Sequence, residues 1–271
     1  MHETAYAKVN LALHVRGREP DGYHRLETVF AFAEDGDLIE VDEPRVPGAI
    51  ELELHGPFAP LLAGEPDNLV LRAAHALRAA YGVAAGARLV LDKRLPVAAG
   101  IGGGSADAAA ALRLLVRWWK LAEEPARLHE IARALGADVP ACLLSRTVRG
   151  EGRGDALTPV NGARLTGTPM LLVNPRLAVA TGPVFAAWDG VDRGPLGPDL
   201  LGRNDLEAPA RRLVPQIGEV LAALAGASFT TMSGSGATCL GLYASMSERD
   251  AAAARIAPAH PGWWMLKTGL R

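Results

Sequence analysis

The chain has 271 residues, which is enough for one large domain or two smaller ones with their own cores. Hydrophobic residues make up 49% of it and charged residues 21%, as is usual for a globular protein. The formal net charge of −2 argues against nucleic-acid or membrane partners held by bulk electrostatics, so neither is expected. Two isolated cysteines, no apolar run near about 18 residues and no signal-peptide pattern together predict a soluble cytoplasmic protein.

Residues 4–16 alternate between two faces, which predicts a β-strand. Lys8 and Asn10 project from the same face of that strand. An edge strand with a solvated polar face would explain both residues without any function. Lysine is scarce, however, with four lysines against 24 arginines, so Lys8 is also a candidate for chemistry.

A Pro-Asp-Gly turn follows this strand and leads directly into Tyr23 and His24. Such a pair usually serves surface and core packing. It can also recognise a flat ligand, because the Tyr23 ring can stack on it and the His24 imidazole can hydrogen-bond its edge.

Several elements are predicted between residues 38 and 144 from their periodicity and capping residues. The pattern indicates two antiparallel strands at 38–43 and 50–55, a helix capped by Asn68 and ended by Gly82, a strand at 87–91, a helix at 106–121, and a helix from Pro125 to a stop at Gly136. Asp138 follows, before a short segment at 139–144. It can act as the N-cap of that segment or as a catalytic carboxylate.

A glycine-rich loop joins the strand at 87–91 to the next helix. It consists of Pro96, Val97, Ala98, Ala99, Gly100, Ile101, Gly102, Gly103, Gly104, Ser105, Ala106 and Asp107. Glycines admit positive φ and close approach of a ligand, and a helix N-terminus attracts anions. Ser105 is expected to cap the helix. The loop lacks the lysine of a Walker A motif and the third glycine of a dinucleotide fingerprint. A flexible turn is the alternative to a phosphate-binding loop of another type.

The C-terminal part has the predicted order β-α-β-β-α-β, which is the split βαβ arrangement of a ferredoxin-like domain. Its elements are strands at 170–173, 229–233, 238–243 and 263–268, a helix at 209–224, and a helix to Ile256 with a Ser247–Asp250 capping box. Residues 146–156 are expected to form a loop between domains. The sequence therefore predicts an α+β protein with domains at 1–157 and 158–271.

A phosphate loop without its own lysine needs positive charge from elsewhere, here from Mg²⁺ and from Lys8 or Lys93. A carboxylate such as that of Asp138 can take the proton of an acceptor hydroxyl, and a neighbouring lysine would keep it ionised. The residues alone therefore favour a small-molecule kinase with an open choice of acceptor.

Three clusters, at Tyr6–Leu11, Pro96–Ala106 and Gly234–Gly236, resemble the GHMP kinase superfamily. Seven segments narrow this resemblance to the kinases whose acceptor carries a cytidine diphosphate moiety. They are Ala7–Leu11, Asp21–His24, Asp67–Leu69, Asp92–Pro96, Gly136–Pro140, Asn204–Glu207 and Met232–Gly236. The resemblance implies a ribosomal-protein-S5-like N-terminal nucleotide-binding domain, with the glycine loop at 96–106, and a ferredoxin-like C-terminal domain. It also implies ATP and Mg²⁺ as cofactors, a small-molecule substrate, and a monomer or homodimer.

The resemblance also implies residue roles. Asp138 would be the base and Lys8 its charged partner. Substrate binding would fall to Asn10, Tyr23, His24, Thr181 and Phe185. ATP would lie against Asn68, Lys93 and the loop from Pro96 to Asp107, with Ser105 near the metal, and Gly234, Ser235 and Gly236 would lie at the phosphates.

Ala98 and Ala99 depart from the family pattern, which has glycines there, so neither residue is expected to need positive φ. Two other hypotheses remain open: a GHMP-type kinase acting on homoserine, mevalonate or a sugar, and a nucleotide-binding regulatory module without catalysis.

Overall fold

A computed structural model gives the fold of the chain and describes residues 1–64 and 67–271. Its strands are β1 (His2–Arg18), β2 (His24–Asp42), β3 (Ile50–His55), β4 (Ala87–Asp92), β5 (Val148–Gly152), β6 (Ala156–Pro159), β7 (Pro169–Asn174), β8 (Phe229–Met232), β9 (Cys239–Leu242) and β10 (Trp264–Gly269). Its α-helices are α1 (Leu69–Tyr81), α2 (Gly103–Trp118), α3 (Pro125–Leu135), α4 (Val139–Leu144), α5 (Thr181–Ala186), α6 (Glu207–Leu213), α7 (Gln216–Ala223) and α8 (Met246–Ala259). No helix within these described ranges combines the length and the apolar character needed to cross a membrane.

The chain divides into two compact units, each built from separate stretches of sequence. The first unit contains Met1–Ala7, Asp35–Val97 and Gly102–Ser145, and the second contains Lys8–Glu34, Ala98–Ile101 and Arg146–Arg271. Strands β1 and β2, which pair with each other, each contribute residues to both units. The boundary after residue 157 stays a prediction.

In the first unit, β4 lies between β3 and the C-terminal end of β2. Residues 38–42 of β2 pair antiparallel with β4, and β3 pairs parallel with β4. The prediction of two antiparallel strands at 38–43 and 50–55 is therefore wrong in its pairing, because a strand distant in sequence inserts between them. Helix α1 packs against α2 and α3, and α2 packs against α4.

Local capping signals set the ends of α1. The Asn68 side chain accepts a hydrogen bond from Val70 N at 2.9 Å, as an N-cap does. Gly82 ends the helix with a φ of 63°, which a glycine adopts without strain. Both predictions are confirmed, as is the helix from Pro125 to its stop at Gly136.

The second unit contains a four-stranded antiparallel sheet in the order β10-β7-β9-β8. Helices follow β7 and β9, which are the first and third of these strands along the chain. This order and these connections confirm the ferredoxin-like prediction. The helix predicted at 209–224 is wrong in extent, because Pro215 separates α6 from α7. The predicted Ser247 cap is also wrong: Ser245 is the N-cap of α8 and accepts from Glu248 N at 3.2 Å.

The stretch 146–156 is part of a hairpin and not the predicted loop between domains. Strand β5 pairs antiparallel with residues 26–30 of β2 on one side and with β6 on the other. Gly152 and Gly154 have φ of 71° and 93° at the turn between β5 and β6, and Arg153 lies between them. The alternation of glycines and charged residues in this stretch therefore corresponds to a tight hairpin turn.

Candidate active site

In the second unit, Lys8 and Asn10 belong to a buried polar network on β1. Lys8 Nζ donates to Asn10 Oδ1 at 3.1 Å, and Asn10 Nδ2 donates to Thr28 Oγ1 at 2.7 Å. Lys8 is only 4% exposed and Asn10 only 3%, so the alternative of a solvated polar face is wrong. Lys8 Nζ also lies 5.2 Å from the centre of the Phe30 ring, where a cation is attracted to the aromatic face. The network holds an ammonium group in place with little water around it.

The first part of the glycine loop belongs to this second unit and packs on the turn at 233–236. Ser233 Oγ donates to Gly100 O at 2.8 Å and accepts from Asn10 N at 3.2 Å. A Cβ on Gly100, whose φ is 76°, would lie 2.5 Å from Ser233 O and 2.7 Å from Gly236 O. A glycine is therefore required at position 100 for both conformation and space. The two predicted phosphate segments meet here backbone to backbone.

Ala98 has a φ of 52°, so the expectation that this position does not need positive φ is wrong. A residue with a Cβ in the left-handed region carries strain, which the surrounding loop must hold in place. Ala99 next to it is buried, and its carbonyl accepts a hydrogen bond from Thr238 N at 3.2 Å. That bond joins the loop to the start of β9.

The rest of the loop, from Gly102, belongs to the first unit and forms the start of α2. The N-cap is Gly102, with a φ of 59°, so the prediction that Ser105 caps the helix is wrong. Gly102 has no side chain to occupy the N–H groups of the first turn, and a 16-residue helix has a positive dipole end there. Ser105 lies in this first turn, half-buried. The helix start can therefore receive an anion.

Lys93 lies behind this helix start in a fully buried ion cluster of the first unit. Its Nζ donates to Asp37 Oδ2 at 2.5 Å and to Asp107 Oδ2 at 2.6 Å. The three side chains are 0–2% exposed. Asp37 Oδ1 also accepts from Arg94 N at 2.5 Å and from Leu95 N at 2.8 Å, just before the loop. The cluster joins β2, the end of β4 and the N-terminal part of α2.

The charges of this cluster are set by burial and by one another. Burial raises the pKa of Asp107 to about 8, the charge of Asp37 adds to this, and Lys93 opposes it. Burial alone would lower the pKa of Lys93, but Asp107 and Asp37 outweigh it, so the pKa of Lys93 is raised. Asp107 Oδ1 has no hydrogen-bond partner among the described residues. Sequence reasoning missed Asp37, because Glu34, Asp35, Glu40 and Asp42 lie near it in β2 and no local pattern separates it from them.

Asp138 lies in the first unit, directly before α4, and is half-buried. It occupies the N-cap position of that helix, as the capping alternative predicted, but its side chain makes no cap hydrogen bond there. Lys8 lies in the second unit, and its pairing with Asp138 stays a prediction. The adenosine role of Lys93 and Asn68 likewise stays a prediction. Asn68 lines an open groove of about 660 Å³ along α1 and α3, together with Leu71, Arg72, His75, Ala76, Glu130, Ile131, Ala134 and Leu135.

An aromatic cluster in the second unit brings His24 and Phe185 together. Their ring centres are 4.8 Å apart at 35°, and Trp188 meets His24 edge-on at 5.7 Å. Burial lowers the pKa of His24, and the positive charge of Arg18 lowers it further, so the ring is neutral near pH 7. Tyr23, the neighbouring residue, is 56% exposed. Sequence reasoning missed Trp188, which lies three residues after Phe185.

Two further contacts organise the turn at 233–236. Thr181 Oγ1 and Ser235 Oγ are 3.0 Å apart, which joins a predicted substrate residue to a predicted phosphate residue. Asn204 Nδ2 donates to Met232 O at 2.7 Å and to Gly234 O at 2.8 Å. The role of Asn204 was not foreseen, although its Asn-Asp pair belongs to the motifs behind the resemblance.

Known proteins with similar sequences and folds show the family of the chain. Residues 68–146 match the family "GHMP kinases N terminal domain" and residues 192–261 match "GHMP kinases C terminal". The chain is 58% identical to the 4-diphosphocytidyl-2-C-methyl-D-erythritol kinase of Rhizorhabdus wittichii, covering 100% of this chain and 96% of the relative. It is 49% identical to the enzyme of the same name from Paracoccus denitrificans, over 99% of this chain and 96% of the relative.

Solved structures give the same result. A crystal structure of 4-(cytidine 5'-diphospho)-2C-methyl-D-erythritol kinase matches with a TM-score of 0.83 and 36% identity, covering 99% of both chains. The Methanococcus jannaschii mevalonate kinase matches with a TM-score of 0.72 at 10% identity, over 100% of this chain and 98% of that one, which shows a shared fold. The chain belongs to the 4-diphosphocytidyl-2-C-methyl-D-erythritol kinase family, within the GHMP kinases.

Proposed function

We propose that this protein transfers the γ-phosphoryl group of ATP to the 2-hydroxyl of 4-diphosphocytidyl-2-C-methyl-D-erythritol. The products are the 2-phosphate and ADP, and the reaction belongs to non-mevalonate isoprenoid precursor synthesis. Full-length identity of 58% to a relative of that name supports the family activity. The protein is accordingly a small-molecule kinase.

The aromatic cluster around His24 is the main support for the cytidyl compound as the acceptor substrate. A cytosine ring needs flat apolar surfaces and a hydrogen-bonding group at its edge. Exposed Tyr23 and the packed rings of His24 and Phe185 supply these groups within one unit. Homoserine and mevalonate have no ring and would leave this cluster unused.

The chemistry is assigned to Asp138 and Lys8. The carboxylate of Asp138 accepts the proton of the 2-hydroxyl, the oxygen attacks the γ-phosphorus, and the bond from that phosphorus to ADP breaks. The buried ammonium of Lys8, held by Asn10 and Phe30, stabilises the negative charge that develops on the attacking oxygen. Asn10, in the same network, is assigned to the methylerythritol portion, and Thr181 to the substrate near Ser235.

We assign the phosphoryl donor, ATP with Mg²⁺, to the glycine loop and the turn beside it. We assign the phosphate oxygens to N–H groups of the glycine backbone at 100–104, of the uncapped start of α2 and of the turn at 234–236. Gly236 N already donates to Ser233 O at 3.0 Å, so the candidates in that turn are the N–H groups of Gly234 and Ser235. Within residues 1–64 and 67–271, no group of three His, Cys, Asp or Glu side chains could hold a metal by itself. Mg²⁺ binds mainly to phosphates and water with one or two protein oxygens, and we assign Ser105 as one of these oxygens. When bound, the ion neutralises phosphate charge.

An acceptor panel tests the proposal. ADP release with Mg-ATP is measured for diphosphocytidyl-methylerythritol, homoserine and mevalonate, with CMP and CDP as competitors. We expect turnover with the cytidyl acceptor alone and competitive inhibition by CDP. Turnover of homoserine or mevalonate without CDP inhibition would refute the choice of acceptor, and nucleotide binding without any transfer would favour a regulatory module.

Two substitutions test the assigned chemistry. Asp138→Asn and Lys8→Ala are expected to lower kcat by at least about 100-fold, because each removes a group that acts in the transition state. ATP binding is expected to be retained. The matched controls are Asp199→Asn and Lys267→Ala, which change exposed groups of the same charge. Near-normal kcat in Asp138→Asn would refute that base.

The cellular setting and assembly belong to the same proposal. We assign the protein to the cytoplasm, where ATP is available and where the two buried cysteines would stay reduced. We expect a monomer or homodimer, which light scattering of the purified protein distinguishes.

A further inference from the structure

The hairpin tip between β5 and β6 reaches the turn that carries Tyr23. The guanidinium carbon of Arg153 lies 3.8 Å from the centre of the Tyr23 ring, which is within cation–π distance. Arg153 Nη2 also donates to Asp21 Oδ2. Asp21 Oδ1 in turn accepts from Tyr23 N at 3.1 Å. Arg153 is therefore linked to Tyr23 twice, through the ring face and through the backbone.

The position of Arg153 is itself held by the fold of the second unit. Gly154 N donates to Glu151 O at 3.0 Å, which closes the hairpin turn. A Cβ on Gly154 would lie 3.4 Å from Phe30 Cζ, so the tip rests closely on β2. Arg153 thus projects from a hydrogen-bonded turn that packs on β2, and its guanidinium covers one face of the exposed Tyr23 ring.

Tyr23 remains 56% exposed although Arg153 covers one face. An exposed tyrosine with no such contact would sample several rotamers and lose that freedom when a ligand stacks on it. A guanidinium already stacked on one face reduces this loss.

We propose that Arg153 is a positioning residue for the acceptor: its guanidinium holds the Tyr23 ring in place so that the cytosine stacks on the opposite face. The inference rests on the proposed function, since it concerns how the same substrate is bound. It adds a residue outside the predicted site, supplied by a hairpin that sequence reasoning had taken for a loop.

The test is a double-mutant cycle of Arg153→Ala and Tyr23→Leu, with Arg164→Ala as the control. Arg164 is an exposed arginine in the same unit, so its loss changes the net charge equally. We expect Arg153→Ala to raise KM for the cytidyl acceptor by about two- to fivefold, the size of an exposed cation–π contact. We expect kcat, KM for ATP and the melting temperature to stay as in Arg164→Ala.

Two readouts separate positioning from direct binding. The inhibition constant of free cytidine, which has no phosphate, is expected to rise by the same factor as KM. In the Tyr23→Leu background, Arg153→Ala is expected to cause no further rise, because the two residues act as one.

Three results would overturn the inference. An effect confined to CDP and larger ligands would mean that Arg153 binds the diphosphate directly. A lower KM would mean that the guanidinium occupies the cytosine face, and an unchanged KM would mean that the contact has no role in binding. If the wild type neither turns over the cytidyl acceptor nor binds cytidine, the proposed function itself fails, which is a separate outcome.

Discussion

The buried cluster of Lys93, Asp37 and Asp107 gives the sharpest test of the energetics. Lys93→Met keeps the length of the side chain but leaves two carboxylates with 0–2% exposure and no cation between them. Removing one partner of a buried ion pair costs about 3–5 kcal/mol, because a buried charge is left uncompensated. We expect that loss in the free energy of unfolding of Lys93→Met.

Asp107→Asn is the contrasting substitution. It leaves one ammonium facing one carboxylate, since Asp37 keeps its bonds to Lys93, Arg94 N and Leu95 N. We therefore expect Asp107→Asn to lower the free energy of unfolding only by about the contribution of one hydrogen bond, about 1 kcal/mol.

Urea unfolding followed by circular dichroism measures both variants, with Lys267→Met as the control. The Lys267 side chain is 53% exposed and lies 3.7 Å from Asp250, so its loss should change stability by less than about 1 kcal/mol. The reasoning would be refuted if Lys93→Met behaved like Lys267→Met, or if Asp107→Asn cost as much as Lys93→Met.

Three further predictions concern the glycine loop, the turn beside it and His24. Gly100→Ala is expected to lower the free energy of unfolding by about 3 kcal/mol, because its Cβ would lie 2.5 Å from Ser233 O at a φ of 76°. The control, Gly104→Ala, should leave stability unchanged or raise it, because the helical backbone there has room for a Cβ. Equal melting temperatures of the two variants would contradict this prediction. Asn204→Ala is expected to lower the free energy of unfolding in urea by about 1–3 kcal/mol, because the carbonyls of Met232 and Gly234 lose their donor. A decrease of less than about 0.5 kcal/mol would show that Asn204 does not stabilise the turn. Burial and the charge of Arg18 lower the pKa of His24, so the folded protein binds its proton less readily than the unfolded chain does. The free energy of unfolding should therefore be highest above about pH 6.5, the pKa of a histidine in an unfolded chain, and should decrease as the pH falls through the pKa of the folded state. Arg18→Gln should raise that pKa in an NMR titration, and an unchanged or lower value would contradict the cause.

Elements with local signals could be predicted closely from the sequence. Asn68 and Gly82 bound α1 as expected, because capping depends on a few neighbouring residues. Pro125 and Gly136 bound α3 for the same reason. The order of strands and helices after residue 169 was enough to predict the ferredoxin-like sheet.

Features that depend on distant segments could not be predicted in this way. The pairing of β3 with β4, and not with β2, is decided by a strand more than 30 residues further along the chain. The positive φ of Ala98 depends on how the loop is held, and no local pattern indicates it. In the site, the family motifs singled out Lys8, Asn10 and His24, but the partners Trp188 and Arg153 lie outside those motifs and are brought in only by the tertiary fold.

The second unit is made of three separated stretches, and this has a consequence for synthesis of the protein on the ribosome. Asn10 N and its partner Ser233 Oγ are 223 residues apart in sequence. At about 5–20 residues per second, β1 is made about 10–45 s before the turn on which its network closes. During that time its apolar residues lack their final neighbours, and such chains are bound by chaperones or aggregate. Fragments that end before residue 233 are therefore expected to be insoluble, whereas the full chain folds once its C-terminal part has emerged.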